Sequence, residues 1–244
     1  MNLTKQKVPN HIAIIMDGNR RWARKQGLKI IKGHDKVARE VIEKLIDRCI
    51  ELNIKYLTLW AFSTENWNRD KKEVSGLMKL FREVFETSSS KLHKKGVQIR
   101  TIGDLSRFAP DIRKGIEAWV EETKKNDKVV LTYALNYGGK DEIMRAANKM
   151  IADLIDQDKI KQFDKSKQNL ITQELFAKYL DTKDLPDPSL LIRPGGEKRL
   201  SGFLPWQSIY TELYFTDVLM PDFDGKELDK AVEEFQKRQR RFGQ

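Results

Sequence analysis

Five consecutive residues, Asp17, Gly18, Asn19, Arg20 and Arg21, form the most chemically loaded stretch of the sequence. They follow a short apolar run, His11 to Met16, and precede Trp22. The run is brief, β-branched and bounded by turn residues, which predicts a buried strand. A carboxylate, a glycine, an amide and two guanidiniums then stand at the strand's carboxyl end, where open α/β sheets place their ligand crevice. Gly18 permits close backbone approach, Arg20 and Arg21 can pair with phosphate oxygens, and Asp17 can hold Mg2+ against them. A lone Asp-Gly-Asn is more often a charged turn. The weight here comes from further anion-binding loops downstream.

Ser63-Thr64-Glu65-Asn66-Trp67-Asn68-Arg69 directly follows a second apolar run. An ordinary capping turn would account for Ser63 and Thr64, but not for Asn66 through Arg69 together. Arg193-Pro194-Gly195-Gly196-Glu197-Lys198-Arg199-Leu200-Ser201 follows a fifth run, and its glycines and arginines can converge amides and guanidiniums on an anion. Glu212 opens a sixth run and supplies a second carboxylate. Familiar alternatives fail. Gly139-Lys140 has Ala134 where a Walker A motif needs its first glycine and Asp141 where it needs Ser or Thr. No Gly-x-Gly-x-x-Gly follows the first strand. His11, His34 and His93 lack metal-ligand spacing, one cysteine excludes a zinc ribbon, and no Asp-Asp-x-x-Asp helix is present.

The elements that must position these residues alternate along the chain. Helices are predicted at Asp35 to Leu52, Lys72 to Lys94, Pro110 to Lys124, Asp141 to Ile155 and Lys226 to Arg240. Strands are predicted at Tyr56 to Phe62, Val97 to Ile102, Val129 to Leu135, Leu190 to Ile192 and Glu212 to Phe215. A polar stretch, Asp156 to Gln173, leads to one further short helix. Apolar strands separated by helices predict a single α/β domain over residues 1–244, with a mainly parallel sheet covered on both faces. Residues 1–10 are expected to be flexible. Between Val74 and Phe85 the apolar residues occupy more than half of the helix circumference. Either that helix is doubly buried, or one side lines an apolar tunnel.

The chain has 244 residues, 34% of them charged, and a formal net charge of +10. Mean hydropathy is −0.61, and no apolar run approaches the ~20 residues of a membrane span. A cytoplasmic enzyme is the expectation, since Met1 to Lys7 carries no signal-peptide pattern. The basic excess calls for acidic partners, among which nucleic acid, anionic membrane and phosphorylated substrates all qualify. No recognition helix or aromatic-basic motif accompanies it, so no nucleic-acid partner is expected. Cys49, the only cysteine, lies on the stripe Val37, Val41, Leu45, Cys49 and reads as core.

The segments HIAIIMDGNRRWA, Gly33-His34, FSTENWNR, NYGG at Asn136 to Gly139, IRPGGEKRLSGFLPWQ and ELYFTD, with a terminal RRFG, resemble the cis-prenyltransferase family. The similarity runs in order from about His11 to Gly243. It implies Mg2+-dependent head-to-tail condensation of isopentenyl diphosphate onto an allylic diphosphate, farnesyl or geranyl. It also implies a homodimer, six core parallel strands, an apolar product tunnel and room for peripheral membrane contact on product release. The preferred product is long, near the undecaprenyl class that serves as cell-wall lipid carrier; a short- or medium-chain synthase and an inactive partner subunit are the alternatives.

By the same resemblance Asp17 and Asn66 would be catalytic, and Asp17 and Glu212 would hold metal. Gly18, Asn19, Arg20, Arg21 and His34 would cradle the allylic diphosphate. Ser63, Thr64, Glu65 and Arg69 would complete that wall, with Trp22 and Trp67 beside the isoprenoids. Arg193, Arg199, Leu200 and Ser201 would bind isopentenyl diphosphate. Asn66 falls where the family assigns proton acceptance, although an amide relays a proton more easily than it keeps one. The chain departs from the common pattern at Ile30, where arginine is frequent, at Asp70 in place of proline, and at Pro194 and Lys198 in place of threonine and histidine.

Overall fold

The computed structural model describes residues 8–157 and 171–238. Six strands, β1 (His11–Ile15), β2 (Tyr56–Ser63), β3 (Val97–Ile102), β4 (Val129–Tyr137), β5 (Leu190–Arg193) and β6 (Glu212–Phe215), form one sheet. Its order is β3-β4-β2-β1-β5-β6, and every pairing is parallel. The eight α-helices among the described residues are α1 (Asn19–Lys25), α2 (Ile31–Lys36), α3 (Ile42–Glu51), α4 (Lys71–Lys94), α5 (Pro110–Thr123), α6 (Gly139–Asp156), α7 (Gln173–Ala177) and α8 (Gly225–Lys237).

Strand burial explains the apolar runs. All five residues of β1 and all nine of β4 are buried. Alternate residues of β1 feed opposite cores: Ile12 and Ile14 pack with Leu45, Leu57 and Leu131, whereas Ala13 and Ile15 pack with Leu191, Tyr137 and Phe203. Both faces are therefore covered, as a parallel sheet requires. Cys49 is fully buried in the larger core, and burial pushes its thiol up to about 12.

Three details differ from the sequence reading. Asn19–Lys25 is a helix of its own, although its polar residues read as a turn. The predicted helix Asp35 to Leu52 starts earlier, at Ile31, and is interrupted by a π-helical turn at Val37–Val41. Such turns widen a helix locally and recur at functional sites. The β2–β4 register slips between Trp60 and Phe62, so Ala61 sits in a bulge. A bulge breaks the two-residue alternation and re-aims side chains.

Helix α4 resolves the question of its wide apolar surface. Leu77, Leu80 and Val84 are buried, while Phe85 packs on Trp119 of α5 at 5.3 Å between ring centroids. Phe81 meets Phe62 at 6.0 Å and Phe108 at 6.2 Å. The helix touches a neighbouring helix on one side and a cavity on another. Thr87 donates its hydroxyl back to the Glu83 carbonyl at 2.7 Å, the bond its Thr-Ser-Ser-Ser context suggests.

Candidate active site

Strand β1 has β2 on one side and β5 on the other. Chain connections diverge there, and crevices of doubly wound sheets open at that point on the carboxyl edge. Asp17, two residues beyond β1, stands in it. Its Oδ1 accepts the Gly18 amide at 2.6 Å and the Arg21 guanidinium at 3.4 Å. Its Oδ2 accepts Arg193 Nη2 at 3.0 Å. Arg193 ends β5 and is 5% exposed; its Nη1 donates to the Arg199 carbonyl and, at 2.9 Å, to Ser201 Oγ. The first and third anion loops are thus joined through one ion pair, its arginine buried and its carboxylate open to the crevice. Gly195 lets them meet, because a Cβ there would lie 2.8 Å from Arg21 Nη2 and 3.4 Å from the Asp17 Cβ. Gly18 has another reason than ligand approach. It adopts φ 98°, and a Cβ would press on Leu219 at 2.8 Å.

A cavity of about 280 Å³ opens beside Asp17, lined by Met16, Gly18, Asn19, Arg20, Arg21, Arg24, His34 and Arg69. Four guanidiniums around one hollow make it an anion cradle. Glu73, on the first turn of α4 and 7% exposed, pre-sets two of them. It lies 3.6 Å from Arg20 and accepts Arg69 Nη1 at 3.0 Å. Asn19 and His34 approach at 3.4 Å, and Asn19 Oδ1 and His34 Nε2 are buried without a partner. Burial, reinforced by Arg69 and Arg20, lowers the His34 pKa to about 4, so the ring is neutral near pH 7.

His11 is also held neutral by burial, at about 4, between the Pro186 carbonyl and Thr58 Oγ1. Both folded-state values lie below the unfolded 6.5. The unfolded chain therefore takes up more protons as pH falls from about 6.5 toward 4, and stability drops in that window. Unfolding free energies from urea titrations should decline from pH 6.5 to pH 5, by at most about 1.4 kcal/mol per pH unit for each histidine. The decline should be shallower in His34→Gln. A flat profile would mean these rings titrate normally.

A larger cavity of about 420 Å³ continues inward from Asp17 between the sheet and α3, α4 and α5. Its polar mouth carries Asn19, His34, Ser63, Glu65, Asn66, Arg69, Arg193 and Ser201. Its inner wall is Val37, Ala38, Ile42, Ala61, Leu77, Leu80, Phe81, Val84 and Phe85. Trp119 and Tyr133, stacked at 5.6 Å, line its depth, since Tyr133 pairs with Leu59 in mid-sheet. A charged mouth above an apolar interior suits a ligand with a charged head and a hydrocarbon tail.

Several expected residues do other work. Asn66 and Ser63 form a capping box, in which Asn66 Oδ1 accepts the Ser63 amide at 3.1 Å. That carbonyl is already engaged, so the amide NH2 is what Asn66 can offer the cavity. Thr64 lies against Gly138 instead of the cavity wall. Trp67 donates to Asn136 Oδ1 at 2.8 Å and packs on Phe62 and Phe108. Trp22 donates to Asp222 at 2.8 Å beneath Lys36. Both tryptophans buttress the site, and neither lines the two cavities. Leu200 packs into the smaller core, and the Arg199 side chain is 63% exposed and paired with Glu197 at 2.5 Å.

Glu212 stands apart from Asp17 within this chain. It pairs with Leu190, which pairs with Ile12, at the amino edge of the sheet. Asp17 stands five residues further along β1, so one chain cannot close a metal site with both. Glu212 accepts Arg238 at 2.9 Å instead. The terminal Arg241-Phe242-Gly243 lies outside the described residues. Three contributors escaped the sequence reading. Glu73 was legible as an i,i+4 partner of Arg69. Arg24 was legible as one helical turn beyond Arg20 and Arg21. Trp60, stacked on Phe203 at 4.9 Å and lining the large cavity, carried no signal.

A family model described as putative undecaprenyl diphosphate synthase matches residues 15–243. An isoprenyl transferase of Clostridium perfringens is 48% identical over 99% of this chain and 92% of its own. One of Aquifex pyrophilus is 48% identical over 97% and 96%. Lavandulyl diphosphate synthase of Lavandula x intermedia, solved with dimethylallyl diphosphate, superposes with a TM-score of 0.89 at 34% identity, over 97% of this chain and 99% of that one. A probable undecaprenyl diphosphate synthase of Campylobacter jejuni gives 0.76 at 35%, over 98% and 100%. With its all-parallel fold and its anion cradle above an apolar cavity, this chain belongs to the undecaprenyl diphosphate synthase family and is a cis-prenyltransferase.

Proposed function

We propose that the protein condenses isopentenyl diphosphate repeatedly onto a farnesyl or geranyl diphosphate primer, giving a long-chain cis-polyprenyl diphosphate near the undecaprenyl class. The observation that carries this reading is the continuity between the Asp17 anion cradle and the apolar cavity behind it. The allylic diphosphate sits among Arg20, Arg21, Arg24 and Arg69, its tail pointing inward past Ala61 toward Trp119. Isopentenyl diphosphate takes the Arg193 and Ser201 side. As the allylic C1–O bond breaks, negative charge grows on the departing diphosphate, where fixed guanidiniums stabilise it. The isopentenyl double bond attacks C1, and the proton lost from C2 passes to a diphosphate oxygen or water near Asn66.

Asp17 fits a Mg2+ ligand. It is a carboxylate 29% exposed at the mouth, and no group of three or more acidic, histidine or cysteine side chains occurs among the described residues. Mg2+ is commonly held by one or two carboxylates with substrate phosphates and waters completing its shell. Bound there, it would neutralise charge on the leaving diphosphate. Ile30 caps α2, and the cradle keeps four arginines without a fifth at that position.

A second reading, a short- or medium-chain synthase, is favoured by the 420 Å³ volume and by the likeness to lavandulyl diphosphate synthase. Product sizing with labelled isopentenyl diphosphate and farnesyl diphosphate decides between them; no transfer at all refutes both. Ala61→Leu should shorten the products, because overpacking an apolar site costs ~1–3 kcal/mol. Phe81→Ala or Phe85→Ala should lengthen them. Unchanged lengths at all three positions in active enzyme would place the chain elsewhere.

We infer self-association through α6. Met144, Ile151 and Ile155 are 60%, 45% and 57% exposed on one helix face, and Ile209 is 71% exposed. A second copy covering that face would make the homodimer. Ile151→Glu should shift sedimentation from dimer to monomer; a wild-type monomer would contradict this. Among the described residues no helix is long and apolar enough to cross a membrane.

A further inference from the structure

The wall of the apolar cavity has a window. A smaller hollow of about 210 Å³ lies between the π-helical turn with α3 and the middle of α4. Ala38, Ile42, Val84 and Tyr133 line both it and the main cavity, so these residues form a shared wall between the two. On its outer side stand Thr87 and Lys91 of α4, facing Arg39 and Glu43.

Three ion pairs cross the gap at two places and frame the hollow. Arg39 reaches Glu83 at 2.5 Å, and Glu43 lies 4.0 Å from Lys91 and 2.9 Å from Lys95. Glu83, Thr87 and Lys91 are spaced one turn apart on α4, which sets Thr87 between the two crossings. The frame is exposed: Glu83 is 41% and Lys91 69% accessible. Exposed pairs of this kind contribute little to stability and break readily. Behind them the π-helical turn places Ala38, a small side chain, on the same hollow as the small Thr87.

We propose that this window is a side exit, through which the far end of a growing isoprenoid chain leaves the main cavity between Ala38 and Thr87 and reaches the surface. The proposal rests on the cavity holding the growing chain. At 420 Å³ the main cavity is near the lower end of the ~300–1,000 Å³ that encloses a drug-sized ligand. A primer fits; a chain extended many times over does not. Trp119 and Tyr133 are well packed, and forcing more carbon against them strains the core. Opening the window moves one buried side chain, Val84, together with the exposed ion pairs beside it, and leaves the Trp119–Tyr133 stack in place.

Cys49, the only cysteine, is fully buried, so Thr87→Cys introduces the one accessible thiol. Its maleimide labelling rate should be unchanged by farnesyl diphosphate and fall at least tenfold with undecaprenyl diphosphate. Lys91→Cys, further out on the same rim, should follow the same order with a smaller effect and serves if the first variant does not fold. Thr87→Trp should shorten the products. Normal prenyl transfer with equal labelling under both diphosphates, or with unchanged product lengths in Thr87→Trp, would overturn the exit alone. Absence of transfer by the unaltered protein would overturn the cavity reading and the exit with it.

Discussion

Asp17→Ala is expected to lower turnover ~10²–10³-fold, the usual effect of removing one essential electrostatic group from a preorganised site. The carboxylate holds Arg193 and Arg21 on its two oxygens, at 3.0 and 3.4 Å, while remaining 29% exposed toward the crevice. It can therefore orient the isopentenyl side, steady the allylic side and still present oxygen to a metal. The β1 core beneath it is fully packed without it, so the variant should keep its fold by circular dichroism. Some melting temperature should be lost, because Arg193 would be left buried without its carboxylate. Asp17→Asn separates the roles. It keeps the shape and one acceptor but neither the charge nor the metal affinity, so it should melt closer to the parent and turn over almost as slowly as alanine. Near-normal turnover of either variant in excess Mg2+ would end the assignment.

The parallel sheet was legible because buried strands bounded by turn residues leave an apolar signature that few other arrangements share. β3 and β6 match their predicted ranges, and the others differ by one or two residues at their ends. Asn19–Lys25 was not legible as a helix. Its polar residues face an anion cradle, so no apolar period marks it, and its stability comes from packing. The Ala61 bulge and the π-helical turn were hidden for a related reason. Both are one-residue irregularities that leave composition unchanged, yet they shape the cavity wall.

The site was legible as motifs and not as contacts. Asp17, Arg193 and Ser201 do converge, which the loops' common position after strands anticipates. The separation of Glu212 from Asp17 was hidden in the motifs: a residue that opens a strand lies at the opposite edge from one that follows a strand, so within one chain the two carboxylates stand apart. Asn66 and the two tryptophans look chemical in sequence. Asn66 caps a turn, Trp67 packs on Phe62 and bonds Asn136, and Trp22 bonds Asp222 beneath Lys36.

Arg193 and Arg199 resemble each other in sequence, and on sequence alone equal losses are expected at both. The structure separates them. Arg193 is 5% exposed and binds Asp17, Ser201 and the Arg199 carbonyl, whereas the Arg199 side chain is 63% exposed beside Glu197. Charge-assisted hydrogen bonds lost from a dry site are worth ~1.5–3 kcal/mol, about one to two decades in affinity. Arg193→Ala should therefore raise the KM for isopentenyl diphosphate 10- to 100-fold and lower kcat as well, since Asp17 loses its anchor. The KM for the allylic substrate should move far less. Arg193→Lys keeps the charge without the planar fork, so it should recover only part of the loss. Exposed pairs contribute ~0–1 kcal/mol, which limits Arg199→Ala to a KM increase of about fivefold or less. Steady-state kinetics with each substrate varied in turn measures all three. Equal damage from Arg199→Ala would mean that the Gly195-Gly196 loop folds inward on substrate and carries Arg199 into the crevice, and the division of labour drawn from the free enzyme would be wrong.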